Sequence, residues 1–479
     1  MKLMLPIVIW LLAGCAAVPA RQAEVGVDLP AAWTAARLPA APEPTWQVTL
    51  ADEALTSLVR EALEHNHDLA IASARLRQAR AQARIERAAV YPIVGIVGEA
   101  RRSSNRFNAA AQTIHDYETR YTAAMDVTWE VDLWQRLSAR RQAARDEAYA
   151  AAHDLAAARL SIAANTARLW FAIIEAQQQL ALAEDSVRRY RQTLKLVQGR
   201  FEQGVPDERR QTTLMDVRLA QTDLESAEAL AEQRREQRDR LSRQIELLLG
   251  RYPAGEVAAA AQLPELPAPV PAGVPAELLF RRPDVQASYL RLIAADKRLH
   301  AVRADLLPRL SLTASGGVGS DELRDILRPD HLFWNLIANA SQPLFRGGEL
   351  RARVDLQDAR VDELLSFYSR SALIAFTEVE QALAAEHYLR QQHVHLLAAR
   401  DAAESAERLA NDRLDQNLIG TLDLLQVQQR TLNARGSVIQ NARLILESRI
   451  DLYLALGGDV LPGAVGLQSA TAAAGSTRR

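Results

Sequence analysis

The sequence predicts a mainly α-helical chain, a duplicated unit of long helical hairpins, with four strands that form part of a transmembrane β-barrel. Three observations predict it. Helix breakers are scarce, with 21 Gly and 19 Pro in 479 residues, and runs of Ala, Leu, Arg, Gln and Glu, good helix formers, fill the gaps between them. The chain repeats itself at a shift of 216 residues. One stretch, 117–133, changes to a period of two, as a strand with unlike faces does. An apolar content of 48% is too high for disorder, and so few Gly and Pro argue against an all-β sandwich. Lys+Arg 57 against Asp+Glu 59 leaves a formal charge of −2, which gives no electrostatic reason to expect nucleic acid.

The chain opens with Lys2 and an apolar run from Leu3 to Leu12, interrupted by Pro6. The run is shorter than the ~20 residues of a spanning helix, so 1–14 reads as a signal peptide. Leu12-Ala13-Gly14-Cys15 is similar to a bacterial lipobox, in which the thiol of Cys15 receives a diacylglyceryl group and Cys15 becomes the first mature residue. The plainer alternative is an ordinary signal peptide with an incidental cysteine. Cys15 is the one cysteine, so no intramolecular disulfide forms. Ala16, where inner-membrane lipoproteins often carry Asp, implies an outer-membrane address. Pro19, Pro30, Pro39, Pro42 and Pro44 break helix, and 15–46 is expected as a lipidated, extended tether.

Self-similarity sets the domain plan. At the 216 shift Glu61, Leu63, Asp68, Arg75, Leu76, Ala79, Arg87, Ala88 and Pro92 meet identical residues from Glu277 to Pro308. Later the shift drifts to 213, pairing Arg200 with Arg413 and Gln203 with Gln416, and Leu249-Gly250 pairs with Leu456-Gly457. The plan is a first repeat over 47–250, a Pro-rich linker over 251–275, a second repeat over 276–457 and a tail over 458–479. Each repeat starts with a helical stretch (51–90, 276–306) stopped by Pro92 or Pro308, because the residue before proline is pushed out of the α region. Strands follow. Over 117–133 one face carries Tyr117, Tyr121, Ala123, Met125, Val127, Trp129, Val131 and Leu133, and the other Glu118, Arg120, Thr122, Asp126, Thr128, Glu130 and Asp132. Residues 309–318 and 332–341 alternate similarly. Helical runs from Gln135 to Gly204 and from Glu349 to Ile419 hold no proline, and ~65 residues of helix span roughly 100 Å. Leu350, Val354, Val361, Leu365, Ala372, Phe376, Val379 and Leu383 form a heptad-like seam on the second. A turn and a returning helix lead to Gly250 or Gly457, placed as C-terminal stops.

Four strands cannot close a barrel, and open edges are not tolerated in lipid. Closure therefore requires several chains. A soluble antiparallel sheet with one wet face alternates identically; the export signal favours the barrel.

The order of elements, the duplication and the lipobox resemble the TolC-like outer-membrane factor family, in its branch of outer-membrane lipoproteins serving resistance-nodulation-division (RND-type) efflux pumps. Five segments carry the resemblance: Leu29-Pro30-Ala31-Ala32-Trp33, Trp129-Glu130-Val131-Asp132-Leu133-Trp134, Arg281-Arg282-Pro283-Asp284-Val285, Pro343-Leu344-Phe345-Arg346-Gly347-Gly348 and Leu454-Ala455-Leu456-Gly457-Gly458. The resemblance implies a homotrimer, whose twelve strands make one barrel and whose twelve helices make a periplasmic α-barrel. It implies two partners, a periplasmic adaptor and an inner-membrane RND-type transporter, besides outer-membrane lipid. It places the adaptor-contact tip at Arg200, Gly204, Arg413, Asn417 and Gly420, and an acidic gate near Asp423. The family's second aspartate position is Gln426 here, so Asp412 or Asp415 is the reserve for the ring. Arg210 stands where Asp is common, either as a closing partner of Asp423 or as a solvated charge. Glu118, Arg120, Asp126, Glu130 and Asp132 are the expected barrel-lumen residues.

No catalytic constellation and no cofactor or metal site emerges. His65 with His67, His393 with His395, and Glu378 with Glu380 are spaced i, i+2, which faces different sides of a helix. Ser315-Gly316-Gly317-Val318-Gly319 looks like a phosphate loop but lacks the following Lys and helix, and reads as a flexible strand end or loop. No Gly-x-Ser-x-Gly elbow occurs. The leading function is a passive outer-membrane exit duct of a tripartite efflux pump for drugs or toxic small molecules. The alternatives are the exit duct of a type I protein-secretion system and a periplasmic structural lipoprotein without a pore.

Overall fold

The computed structural model describes residues 33–34, 52–109, 112–202, 212–258, 260–266, 281–416 and 418–458. In chain order the elements are α1 (Glu53–His65), α2 (His67–Ala88), β1 (Ile93–Ala109), β2 (Gln112–Val131), α3 (Arg136–Glu202), α4 (Leu214–Leu248), α5 (Pro283–Ala304), β3 (Arg309–Ser320), β4 (Leu332–Ser341), α6 (Glu349–Asp415) and α7 (Thr421–Ala455). Matching helices have equal lengths: 22 residues in α2 and α5, 67 in α3 and α6, 35 in α4 and α7. At 1.5 Å per residue each long helix extends about 100 Å. Gly250 and Gly457 hold the same left-handed φ, +71° and +70°, after α4 and α7. A Cβ on Gly250 would stand 2.6 Å from His65 O, and one on Gly457 2.9 Å from Arg281 O, so each position requires both the left-handed backbone and the missing side chain.

The first helical stretch differs from expectation. It breaks at Asn66, which is buried and extended (φ −65°, ψ 129°). Its Nδ2 donates to Leu248 O at 3.0 Å, and its Oδ1 accepts from the backbone N–H of Asp68 and Leu69. Asn66 thus caps α2 while tied to the end of α4.

The contacts divide the chain into two compact units. The first takes 75–152 and 287–370 and contains the sheet, in the order β1-β2-β3-β4 with every pair antiparallel. The glycine-rich stretch 315–319, expected as a strand end or loop, lies in the last part of β3. A Cβ on Gly317 would lie 2.1 Å from Ala123 O, so only glycine allows β3 to approach β2 so closely. At the strand-to-helix junction Trp134 Nε1 donates to Pro308 O at 2.7 Å and Trp129 Nε1 to Val90 O at 3.1 Å. Buried Asp305 pairs with Arg309 at 2.7 Å, Arg140 at 3.2 Å and Arg136 at 3.7 Å. Gln135 turns the chain into α3 with φ +58°, where the second repeat uses Gly348 with φ +88°.

The second unit takes the described residues within 27–74, 153–286 and 371–479. Its core joins Leu55 and Val59 of α1, Trp170, Phe171, Ile173 and Ile174 of α3, Ile245 of α4, and Leu446, Ile450 and Tyr453 of α7. Trp170 Nε1 donates to Asp52 Oδ2 at 2.8 Å, while Asp52 Oδ1 accepts from Leu55 N–H and caps α1. Trp33, buried, packs 6.0 Å from the Phe376 ring, and Thr34 donates from N–H and Oγ1 to Glu380 Oε1 at 2.7 and 2.9 Å. Along α6, which runs through both units, four of the eight seam residues, Val361, Ala372, Val379 and Leu383, are buried, and Leu350, Val354, Leu365 and Phe376 are half-buried.

Candidate functional site: the two sheet faces and the helical tip

The register sorts the sheet into one face that is apolar throughout the rows that all four strands share and one that is mixed, where polar rows alternate with the rows Ile93–Thr128–Thr313–Ile337 and Val97–Ala124–Gly317–Phe333. On the first, Val94 and Ile96 of β1 lie beside Val127 and Met125 of β2, these beside Ala314 and Gly316 of β3, and these beside Leu336 and Trp334 of β4. Trp129, Leu312 and Ala338 form the next row, and Ala123, Val318 and Leu332 another. This face is apolar on all four strands and bare in the single chain, with Ile96 83% and Trp334 81% exposed. The other face carries Gly95, Asp126, Ser315 and Asn335 in one row and Glu130, Ser311 and Asn339 in another.

Among the expected lumen residues, Glu118 and Arg120 lie exposed on the polar face and pair at 3.6 Å. Asp126 accepts from Ser315 Oγ across the β2–β3 register. Glu130 is at the inner end of this face and binds Arg136 through both oxygens, at 2.7 and 2.8 Å. Asp132 differs from expectation. The strand ends at Val131, and the Asp132 carboxylate accepts from the N–H groups of Leu137 (2.9 Å) and Ser138 (2.7 Å). It is the N-terminal cap of α3, whose first N–H groups have no helical partner. Sequence reading missed Glu99 and Arg101, which share the polar face, with Arg101 directly opposite Arg120. The period-two spacing of Glu99, Arg101 and Ser103 was the available signal.

Cys15 lies outside the described residues, as do Gly204, Arg210 and Asn417 of the tip and with them any Arg210–Asp423 contact; Asp415 is the last residue of α6. Asp423 occupies the third position of α7, and its Oδ2 accepts from Gly420 N–H at 3.0 Å. In the first repeat Asp216 holds the same position in α4. Its Oδ2 accepts from Thr213 N–H (2.8 Å) and Oγ1 (2.7 Å), a reciprocal capping box. The structural counterpart of Asp423 is therefore Asp216, a residue the sequence reading did not single out; Thr213-x-x-Asp216 was its signal. Leu424 is buried with Ala410 and Leu414, and Leu425 with Tyr190, Val197 and Val217. These anchors fix the first turn of α7 while Asp423 and Gln426 remain exposed.

Arg200 donates from Nη2 to Leu414 O at 3.3 Å, a cation on the carbonyl end of the other long helix. Arg413 and Asp412 have exposed side chains, and their carbonyls close the end of α6 by accepting from Leu418 (2.8 Å) and Gln416 (3.2 Å). Further along, burial pushes the Asp223 carboxyl above the usual range. Burial and the nearby Asp223 charge raise the Tyr190 phenol, whose OH donates to Gln429 Oε1 at 3.2 Å. At the start of α5 burial opposes the Asp284 charge, but the Arg282 guanidinium, 2.7 Å away, prevails and holds its pKa low.

The geometry is that of a wall: one apolar face, one face carrying the charged and polar side chains, and two edges, β1 and β4. Among the described residues no helix is long and apolar enough to cross a membrane. The outer membrane efflux protein family model matches residues 58–251 and 274–458. The pyoverdine export outer membrane protein OpmQ of Pseudomonas putida is 30% identical over 449 residues, covering 91% of this chain and 93% of OpmQ. The toluene efflux pump outer membrane protein TtgF of P. putida is 28% identical over 419 residues, covering 87% and 85%. The solved structure of the outer-membrane channel OprN superposes with a TM-score of 0.84 at 25% identity, over 92% of this chain and 99% of OprN. The chain belongs to the outer membrane efflux protein family, the outer-membrane exit ducts of efflux systems.

Proposed function

We propose that three copies of this chain close one twelve-stranded barrel and that the assembly is a passive conduit for drugs or toxic small molecules. The observation that carries this reading is the sheet itself. Its apolar face is continuous over four strands, and its order leaves β1 and β4 as edges. Lipid satisfies the face, and only closure with further copies satisfies the edges. The polar face then lines the lumen, with Glu99, Arg101, Glu118, Arg120 and Asp126 toward water.

The cargo is delivered by an inner-membrane RND-type transporter through a periplasmic adaptor that meets the helical tip. Relatives named for toluene and for pyoverdine support a duct that does not itself select cargo. Cys15 supplies the lipid anchor in the outer membrane. Asp423 and Asp216 form the acidic tip: like charges around a narrow axis attract cations and weaken the closed state. Asp412 and Asp415 lie at the end of the paired helix, where they add to the same field.

The reading is tested by restoring the chain to its own host after deletion, with and without Cys15→Ser. Regained tolerance to pump cargo, and capture of an adaptor and a transporter with the purified protein, are expected. Unchanged susceptibility on deletion under every cargo tried, with neither partner recovered, would overturn it.

A further inference from the structure

We infer that Arg102, laid on Tyr117, binds the phosphate of an outer-leaflet glycolipid headgroup. The inference rests on the barrel reading above. Along the apolar face of β1 the residues are Val94, Ile96, Gly98 and Ala100, and the next on that face is Arg102. Its register partner is Thr119, and its guanidinium lies 5.8 Å from the centroid of the Tyr117 ring. A cation on a lipid-facing position is tolerated near a headgroup plane and penalised at depth.

The strand length places that plane. At the helix end of the sheet Trp129 is anchored by its hydrogen bond to Val90 O. From the Trp129 row to the Thr119 row is ten residue steps, about 34 Å along the strand. At a strand tilt of about 40–45° this becomes about 25 Å along the membrane normal, the height of the apolar band of an outer-membrane barrel. Arg102 therefore emerges where the band ends, at the end of the strands opposite the β2–α3 junction. Helices that reach into the periplasm put this edge at the outer leaflet.

The chemistry at that edge is specific. A guanidinium presents a planar fork of donors that matches phosphate, and stacking on an aromatic face orients the fork in advance. The outer leaflet is built of phosphate-bearing glycolipid, so each protomer would hold one such headgroup, and the contact sets how deep the barrel rides.

The test uses the full-length, lipidated protein in mild detergent, with native mass spectrometry of added bisphosphorylated lipid A, dephosphorylated lipid A and phosphatidylethanolamine. Arg102→Gln is expected to weaken retention of bisphosphorylated lipid A about tenfold, and Arg102→Lys to restore only part of it, since the charge survives but the stacked fork does not. Dephosphorylated lipid A should bind wild type and Arg102→Gln alike. Equal retention of bisphosphorylated lipid A by wild type and Arg102→Gln would overturn the site, as would phosphatidylethanolamine competing equally for it. Conductance of the same samples in planar bilayers separates the two levels. Wild type that conducts normally while the lipid result fails overturns the headgroup site alone; wild type that neither inserts nor conducts overturns the barrel and the site together.

Discussion

Ile96 and Gly95 are neighbours on β1 that point to opposite faces, and arginine at each gives unlike outcomes if one face meets lipid. Ile96 belongs to the row Ile96–Met125–Gly316–Trp334, four residues from the Trp129 row and six from that of Thr119. It therefore lies near the middle of the apolar band. Arginine there costs about 2–4 kcal/mol per protomer, which is about a 30- to 1,000-fold loss in the folded, inserted population, multiplied across the copies in a barrel. Gly95 shares the polar row with Asp126 and Ser315, and a Cβ added there meets nothing within 4 Å. Gly95→Arg should insert normally and shift ion selectivity toward anions. The measurement is the fraction of each variant that resists alkaline extraction from vesicles and runs as the assembled species. On a sheet with a wet outer face, Ile96, 83% exposed, would tolerate arginine within about 0.5 kcal/mol. Equal insertion of Ile96→Arg and wild type would refute the reasoning.

Three further outcomes follow from single residues. Asp423→Asn keeps an oxygen for Gly420 N–H and removes the charge, so it should lower cation selectivity without loss of stability; Asp423→Ala should also lose about 1 kcal/mol with that hydrogen bond, read by chemical unfolding. Burial raises the folded pKa of Asp223, so its ionised form opposes folding, and this cost grows as pH rises through that pKa. Asp223→Asn should therefore raise the thermal midpoint near neutral pH and lose its advantage once pH falls below the unfolded carboxylate value of about 3.9; an advantage that persists unchanged in acid would be the contrary result. Gln135 holds a left-handed φ of +58°, which a β-branched residue adopts only with strain. Gln135→Val should destabilise by about 1–2 kcal/mol while Gln135→Gly does not, and unfolding curves that rank them the other way would contradict the backbone argument.

Much of the architecture is legible because it rests on periodicity and on chain breakers. Pro92 and Pro308 mark the change from helix to strand, and Gly250 and Gly457 mark the ends of α4 and α7 through a backbone that only glycine adopts without strain. The faces of β2 follow from strict alternation between Tyr117 and Val131. Other features depend on tertiary contact. Asn66 interrupts a run that is helical in composition, and its side chain stabilises the break only because Leu248 O and two N–H groups converge on it. The Gly-rich stretch at 315–319 becomes strand because β2 lies close enough to exclude a Cβ at Gly317. Asp132 continues the alternation in sequence but is taken by the N-terminus of α3. Arg210 is named only by the family resemblance, whereas the equivalence of Asp216 and Asp423 is carried by local capping geometry that each repeat builds with different residues.

The most direct measurement of the account is the conductance of the purified full-length protein in planar bilayers, with Gly95→Arg and Asp423→Asn beside wild type. Discrete conductance steps are predicted, with selectivity moving toward anions in both variants. Silence of all three proteins, when insertion into the same bilayers has been verified, would contradict the claim that these strands enclose a pore.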